Sequence, residues 1–205
     1  MDFNNLPTQE TIDQTIKSLQ DKGYNVIVTE NGAEALEKIK TLIPQGASVM
    51  NGASITLETI GYTELLKSGN HNWNDLHANI VEENDPEKRK QLRKESVLSD
   101  YYLGSVHAVT QDGQMIIASN TGSQLPHVVF TSPNLIFVIG TQKIVPNLDE
   151  AMKRLEEYVF PLEDKHMQTL YKQGSNISKL LIFKSESPMM GRKINIILVK
   201  EKLGF

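Results

Sequence analysis

Two short segments hold the small, hydroxyl-bearing and glycine residues that can close around an anion. Asn51-Gly52-Ala53-Ser54 lies between an apolar strand-like run, Ala47–Met50, and a helix-like one, Ile55–Ile60. Gly52 would let a ligand approach the backbone closely. A helix opening after Ser54 would offer free amides and a positive dipole end to a carboxylate or phosphate. Ser119-Asn120-Thr121-Gly122-Ser123 follows a second apolar run. Hydroxyls around a glycine in that order can build an anion-binding nest. Ser105, beside Gly104, is a weaker candidate, and Lys143 follows the most apolar strand signal in the chain and could meet an anion with its ammonium. The candidate ligand-binding set is therefore Asn51, Gly52, Ser54, Ser105, Thr121, Gly122, Ser123 and Lys143. Each has an ordinary alternative: Ser54 as a helix cap, Gly52 as relief for a turn, Thr121–Ser123 as a solvent turn, Gly140–Lys143 as a sheet-end turn. Spacing alone leaves both readings open.

Motifs with known mechanics are absent. The chain has no G-x-x-x-x-G-K-[ST] phosphate loop, no G-x-G-x-x-G dinucleotide fingerprint, no H-E-x-x-H zinc helix and no G-x-S-x-G nucleophile elbow. Its five histidines are scattered, and His71 and His77 are spaced six apart, poorly for joint ligation on one helix face. Cysteine is absent, which excludes disulfides, thiol catalysis and Cys-ligated metal. No metal site, no cofactor and no catalytic residue is assigned. The 205 residues carry 21 basic and 25 acidic side chains, a net charge of −4. That balance argues against a general nucleic-acid binder and against a polybasic membrane-surface protein. No stretch approaches the 18 or so apolar residues of a membrane span, and the start of the chain has no secretory h-region. The expected location is cytoplasmic.

The elements that must position these loops alternate. Thr8–Lys22 has a helical stripe of Ile12, Ile16 and Leu19, and Tyr24–Thr29 is rich in strand formers. Asn31 and Glu34 form a capping-box pattern before a stripe of Leu36, Ile39 and Ile43. Asp85-Pro86 is a helix start, opening the basic cluster Lys88–Lys94, which reads as a solvated face or a partner-facing patch. Leu103–Thr110 and Met115–Ser119 flank an Asp112-Gly113 step and predict a hairpin. His127–Phe130, Leu135–Gly140, Lys179–Phe183 and Ile194–Val199 are further strand candidates, and a helix capped by Asn147 is expected to end at Pro161. The pattern implies an α/β protein with one mostly parallel sheet, partly antiparallel through the hairpin and covered by helices on both faces.

The residues 47–61, with Asn51-Gly52, Ser54, Thr56-Leu57 and Gly61, resemble the first block of the LUD domain, the lactate-utilization or YkgG-like family. Asp100–Thr110 with Asp112-Gly113, Thr121-Gly122-Ser123, Val138–Val145 followed by Leu148, Glu150-Ala151 and Arg154, and the closing Gly191-Arg192 and Ile197–Phe205 are similar to its later blocks, in family order. The resemblance implies a single LUD-like domain over 1–205, with a three-layer α/β/α sandwich like the NagB/RpiA/CoA-transferase class. It also implies a place in organic-acid (lactate) utilization beside an iron–sulfur redox partner protein. Many relatives carry a cysteine-rich insert before the last strand, and Lys179–Gly191 holds no cysteine. Direct redox participation therefore does not transfer.

Three functions follow. The first is an accessory protein binding a small anionic metabolite on the Asn51–Ser54 and Thr121–Ser123 loops. The second is an enzyme of phosphosugar-isomerase or CoA-transferase type, with Glu58 as base or nucleophile held inside the cleft. The third is a scaffold subunit for a redox partner, recognised by an apolar patch beside Lys88–Lys94. A homodimer is compatible with each.

Overall fold

A computed structural model describes residues 2–205. Helices begin where a side chain can satisfy an amide of the first turn. Thr8 accepts from the Thr11 N–H to open α1 (Gln9–Asp21), and β1 (Asn25–Thr29) follows. Asn31 accepts from the Glu34 N–H to open α2 (Gly32–Leu42), which leads to β2 (Ser48–Asn51). Ser54 accepts from the Leu57 N–H to open α3 (Ile55–Thr59). Gly61, at φ +82°, then turns the chain into α4 (Tyr62–Ser68), a conformation that glycine reaches without penalty. Next come β3 (Asn74–Asp75), α5 (Leu76–Glu82) and α6 (Pro86–Glu95), the last capped by Asp85. α6 buries none of its residues, so the basic cluster is a solvated face.

The second half contributes β4 (Tyr101–Gly104), β5 (Ala108–Thr110), β6 (Met115–Ser119), β7 (Asn134–Gly140) and β8 (Ile144–Val145). It continues with α7 (Leu148–Lys153), α8 (Phe160–Tyr171), β9 (Lys179–Phe183) and β10 (Lys193–Val199). Six strands form one sheet in the order β1-β10-β7-β4-β2-β3, with every neighbouring pair parallel. Central β7 shows why this sequence suits that place. Leu135, Phe137 and Ile139 enter the core on one face, and Ile136 and Val138 enter the core on the other. A strand buried on both faces reads as an unbroken apolar run.

The expected three-layer α/β/α arrangement of a mostly parallel sheet is present. Ala35 and Ile39 of α2, with Leu57 of α3, cover one face. Ile12 and Leu19 of α1, together with Met115 and Ile117 of β6, cover the other. Beyond them, Ala151, Leu155 and Val159 of the helix following Asn147 pack against Ala108, Ile116 and Val145.

Four sequence expectations need correction. The hairpin, β5 with β6, does not extend the main sheet; it is the centre of a second, four-stranded sheet in the order β8-β5-β6-β9. Leu103–Thr110 is accordingly not one strand. It breaks at Ser105–His107, and its halves join different sheets. His127–Phe130 is a helical turn, not a strand; Pro126 already has helical angles, and His127 and Val128 are buried while Val129 and Phe130 are exposed, which is not a strand's alternation. Pro161 does not end its helix. A wide turn over Arg154–Val159 carries the Phe160 N–H back to Leu155 O, and the helix continues to Tyr171. Such a turn shifts the bonding frame just before a residue that has no N–H to give.

The chain beyond β10 is pinned at Gly140, the end of β7. Gly140 has ordinary backbone angles, with φ −65°. A Cβ there would stand 2.7 Å from Glu201 O and 2.9 Å from Leu203 N, and closer still to the Gln142 side chain. Two of those contacts are backbone, so relief requires the closing segment to move. Gly140→Ala should therefore destabilise the protein by about 2 kcal/mol. A matching fall in the urea midpoint checks this.

Candidate functional site

All six parallel strands deliver their carboxyl ends to one edge, where ligands bind in open α/β sheets. A cavity of about 370 Å³ opens at that edge. Its walls take Gly52 and Ser54 from the segment after β2, Ser105 from beyond β4, Thr121 and Ser123 from beyond β6, and Lys143 from beyond β7. The two glycine-bearing segments thus meet at one cavity. Tyr102 ties them: its hydroxyl donates to Gln124 Oε1 at 3.3 Å, and that oxygen would lie 3.5 Å from a Cβ on Gly52. Asn51 and Gly122 do not line the space. Asn51 is buried and donates to Gly52 O; Gly122, at φ +85°, lies under the aliphatic stem of Lys179.

The loops do not work as open amide nests. The Gly122 N–H donates to Ser119 Oγ at 2.9 Å and the Ser123 N–H donates to Thr121 Oγ1 at 3.3 Å. Ser54 Oγ is engaged as the cap of α3, a helix of only five residues. Basic side chains lie instead at the cavity floor.

Lys143 is 2% exposed there. Its ammonium donates to Thr56 Oγ1 at 2.9 Å and to Ser105 Oγ at 3.1 Å. Arg154 is fully buried in the wide turn that follows α7. Its Nη1 donates to His107 O and its guanidinium lies 5.2 Å from the Tyr158 ring centre, while Nε and Nη2 have no partner among the described residues. Neither cation forms an ion pair among the described residues. A buried charge without a counter-ion is worth several kcal/mol of penalty, and a titratable group escapes by losing its proton. Burial, and then the charge of Arg154, push Lys143 down to about 7. Arg154 is lowered by burial only to about 10 and keeps its charge.

His107 shares this wall and is half-buried. Burial, with the charges of Lys143 and Arg154, pushes it down to about 4, so it is neutral. Its Nδ1 accepts from the Ala118 N–H at 3.1 Å, which assigns the ring proton to Nε2. The opposite wall belongs to α8. Phe160 and Met167 supply apolar surface, and Glu163 is raised by burial, with His166 opposing and Glu58 adding to the shift. Glu58 lines the same cavity but is exposed at its rim. Outside the cavity, Leu98 and Phe130 stand 73% and 65% exposed on neighbouring turns beside α6.

Sequence reading missed Thr56, His107 and Arg154. Thr56 hides inside a short helix and His107 inside what looked like a continuous strand. Arg154 sits on a helix beside the stripe Ala151, Leu155 and Tyr158, where spacing alone leads one to expect an exposed charge.

The LUD domain model matches residues 12–199. The chain belongs to the LUD domain family. Every candidate residue of the cavity floor falls inside the matched span, whereas Leu203, which receives the Thr56 hydroxyl, follows it. Among solved structures, this LUD chain is similar to a DUF162 family protein from Deinococcus radiodurans, crystallised at 1.70 Å resolution; DUF162 is the LUD domain. The likeness has a TM-score of 0.52 at 13% identity and covers 95% of this chain and 99% of that one. At that identity it speaks for the fold alone. No protein with a curated description matches this sequence. Among the described residues, no helix is long and apolar enough to cross a membrane.

The depressed Lys143 sets a pH signature. Between about 7 and its ordinary 10.5, the unfolded chain holds a proton on this amine that the folded chain does not. Stability should therefore rise with pH across that window, by up to about 1.4 kcal/mol per pH unit. Lys143→Met, which keeps the stem and removes the amine, should flatten the slope. Urea midpoints measured from about pH 7 to about pH 9 in both proteins test it.

Proposed function

We propose that this LUD protein binds an anionic organic metabolite in the cavity at the carboxyl edge of its sheet, in an accessory role in organic-acid (lactate) utilization. One observation carries the reading. Two buried basic side chains, Lys143 with its amine held near 7 and Arg154 with its fixed charge, stand at or beneath the floor of an accessible cavity and form no ion pair among the described residues. A ligand carboxylate or phosphate supplies the missing charge, and Ser105 and the neutral His107 supply hydrogen-bonding groups around it.

The cavity also limits what the ligand is. About 370 Å³ is room for roughly a dozen water-sized groups, more than a three-carbon acid occupies. Leu155, Val159, Phe160 and Met167 add apolar lining, interrupted by Glu163 and His166. The best fit is a molecule with one anionic end and an apolar body. An isomerase or CoA-transferase reading would need Glu58 enclosed beside both loops, and it stands exposed at the rim. The Leu98 and Phe130 surface beside the basic α6 supports a docking role in addition to binding, since one face can hold a partner while the other holds a metabolite.

Binding shows as thermal stabilisation, since a ligand that recognises only the folded state adds about 2.7 kcal/mol at one hundred times its Kd. Lactate and hexanoate at millimolar concentration should raise the melting temperature, hexanoate more. Lys143→Met should abolish both shifts. An unchanged melting temperature with every anion tried would remove the basis of this function.

A further inference from the structure

Lys143 has bonding features that anion binding alone does not use. Its Nζ meets two hydroxyl oxygens, Thr56 Oγ1 and Ser105 Oγ. The Thr56 hydroxyl gives its own hydrogen to Leu203 O at 3.2 Å, so toward Lys143 it can only accept. An uncharged amine has two hydrogens and one lone pair. With both hydrogens turned to the two hydroxyls, the lone pair has no donor bound to it, and the side chain is fixed rather than swinging in solvent. Among the described residues no carboxylate pairs with it to hold the proton, and the fixed charge of Arg154 favours its loss. A lysine that is desolvated and placed beside a second cation is a nucleophile toward carbonyl carbon.

The geometry points to Lys143 as an imine-forming residue that captures an anionic carbonyl compound, an oxo acid, in this cavity. This inference rests on the anion-binding reading above. The Nζ lone pair attacks the carbonyl carbon, and the C=O π pair moves to oxygen to give a carbinolamine once a proton passes from nitrogen to that oxygen. The hydroxyl then leaves with the remaining amine proton as water, and the C=N bond forms. The step needs no oxidant or reductant. Hydrolysis reverses it, so the ligand is held until water returns. The carboxylate of the oxo acid meanwhile meets the positive field of Arg154, which the amine, once in the imine, need not supply.

Reductive trapping reads this directly. The full chain is treated at neutral pH with glyoxylate and cyanoborohydride, which delivers hydride to an imine carbon and leaves a carboxymethyl group on nitrogen. Peptide mass mapping should find Lys143 labelled in preference to the exposed lysines of α6, with labelling suppressed by excess hexanoate. Lys143→Arg should lose that label and keep the slow surface labelling. Should that variant not fold, Ser105→Ala, which removes one hydroxyl anchor and leaves the lysine, should slow labelling at Lys143 several-fold. Labelling of the native protein that spreads over surface lysines and passes over Lys143 overturns the proposal. If that result comes with hexanoate still raising the melting temperature, the imine fails and the anion site stands; if neither is seen, both fail.

Discussion

A lysine held out of water between two hydroxyls, with no acid to neutralise it, is the constraint around which this molecule is arranged. Removing an ammonium from water is unfavourable by several kcal/mol, and the usual remedy is a carboxylate partner. Here the surroundings withhold that remedy. Thr56 is fixed by the start of α3 and by Leu203 O, Ser105 stands where the chain leaves β4, and Lys143 itself follows the central strand β7. Three separate parts of the parallel sheet must be in register for those three side chains to meet. The cavity is thus a consequence of the sheet order, not an indentation in one loop.

The second sheet explains how the cavity acquires an inner wall. A chain that continued straight from Leu103 to Thr110 would keep its strand in the main sheet and leave the carboxyl edge open. Instead it turns at Ser105–His107 and pairs β5 with β6 and β8. The break itself places functional groups: Ser105 and His107 are two of the three residues at the bend, and the third, Val106, is buried in the main core as its anchor. The long helix from Leu148 to Tyr171 then lies over the second sheet and closes the far side. Its wide turn at Arg154–Val159 is where the buried guanidinium sits, consistent with the tendency of such turns to occur at functional positions.

Much of the scaffold was legible because the signals were local. Thr8, Asn31, Ser54 and Asn147 each cap the helix that their side chains predict, and the Asp112-Gly113 step makes the hairpin. The unbroken apolar run of β7 announces a strand buried on both faces. Errors arose where non-local pairing decided the outcome. Leu103–Thr110 has strand residues throughout, and only the competition between two sheets for its halves breaks it. His127–Phe130 has strand composition, but Pro126 enters it with helical angles and Arg192 binds the carbonyls of His127 and Val128 from across the chain. At the site, the glycine and hydroxyl loops were legible and Lys143 was among the candidates, but the loop amides are used within the loops. The charge comes from Arg154, whose burial no spacing rule could reveal.

Arginine and lysine have different parts in this floor, and the difference follows from their acidities. A guanidinium stays protonated even when its pKa is lowered to about 10, so Arg154 is a permanent positive charge. An amine held near 7 can exist in either state in the same surroundings. Exchanging the two residues would place a permanent cation between Thr56 and Ser105 and leave no free lone pair in the cavity. As arranged, the fixed charge is set back behind His107, where it biases the amine without competing for the cavity space. A neutral His107 adds no third charge to the two: were it protonated, its Nδ1 could no longer accept the Ala118 amide. The cavity floor therefore joins one residue that keeps its proton to one that can lose it.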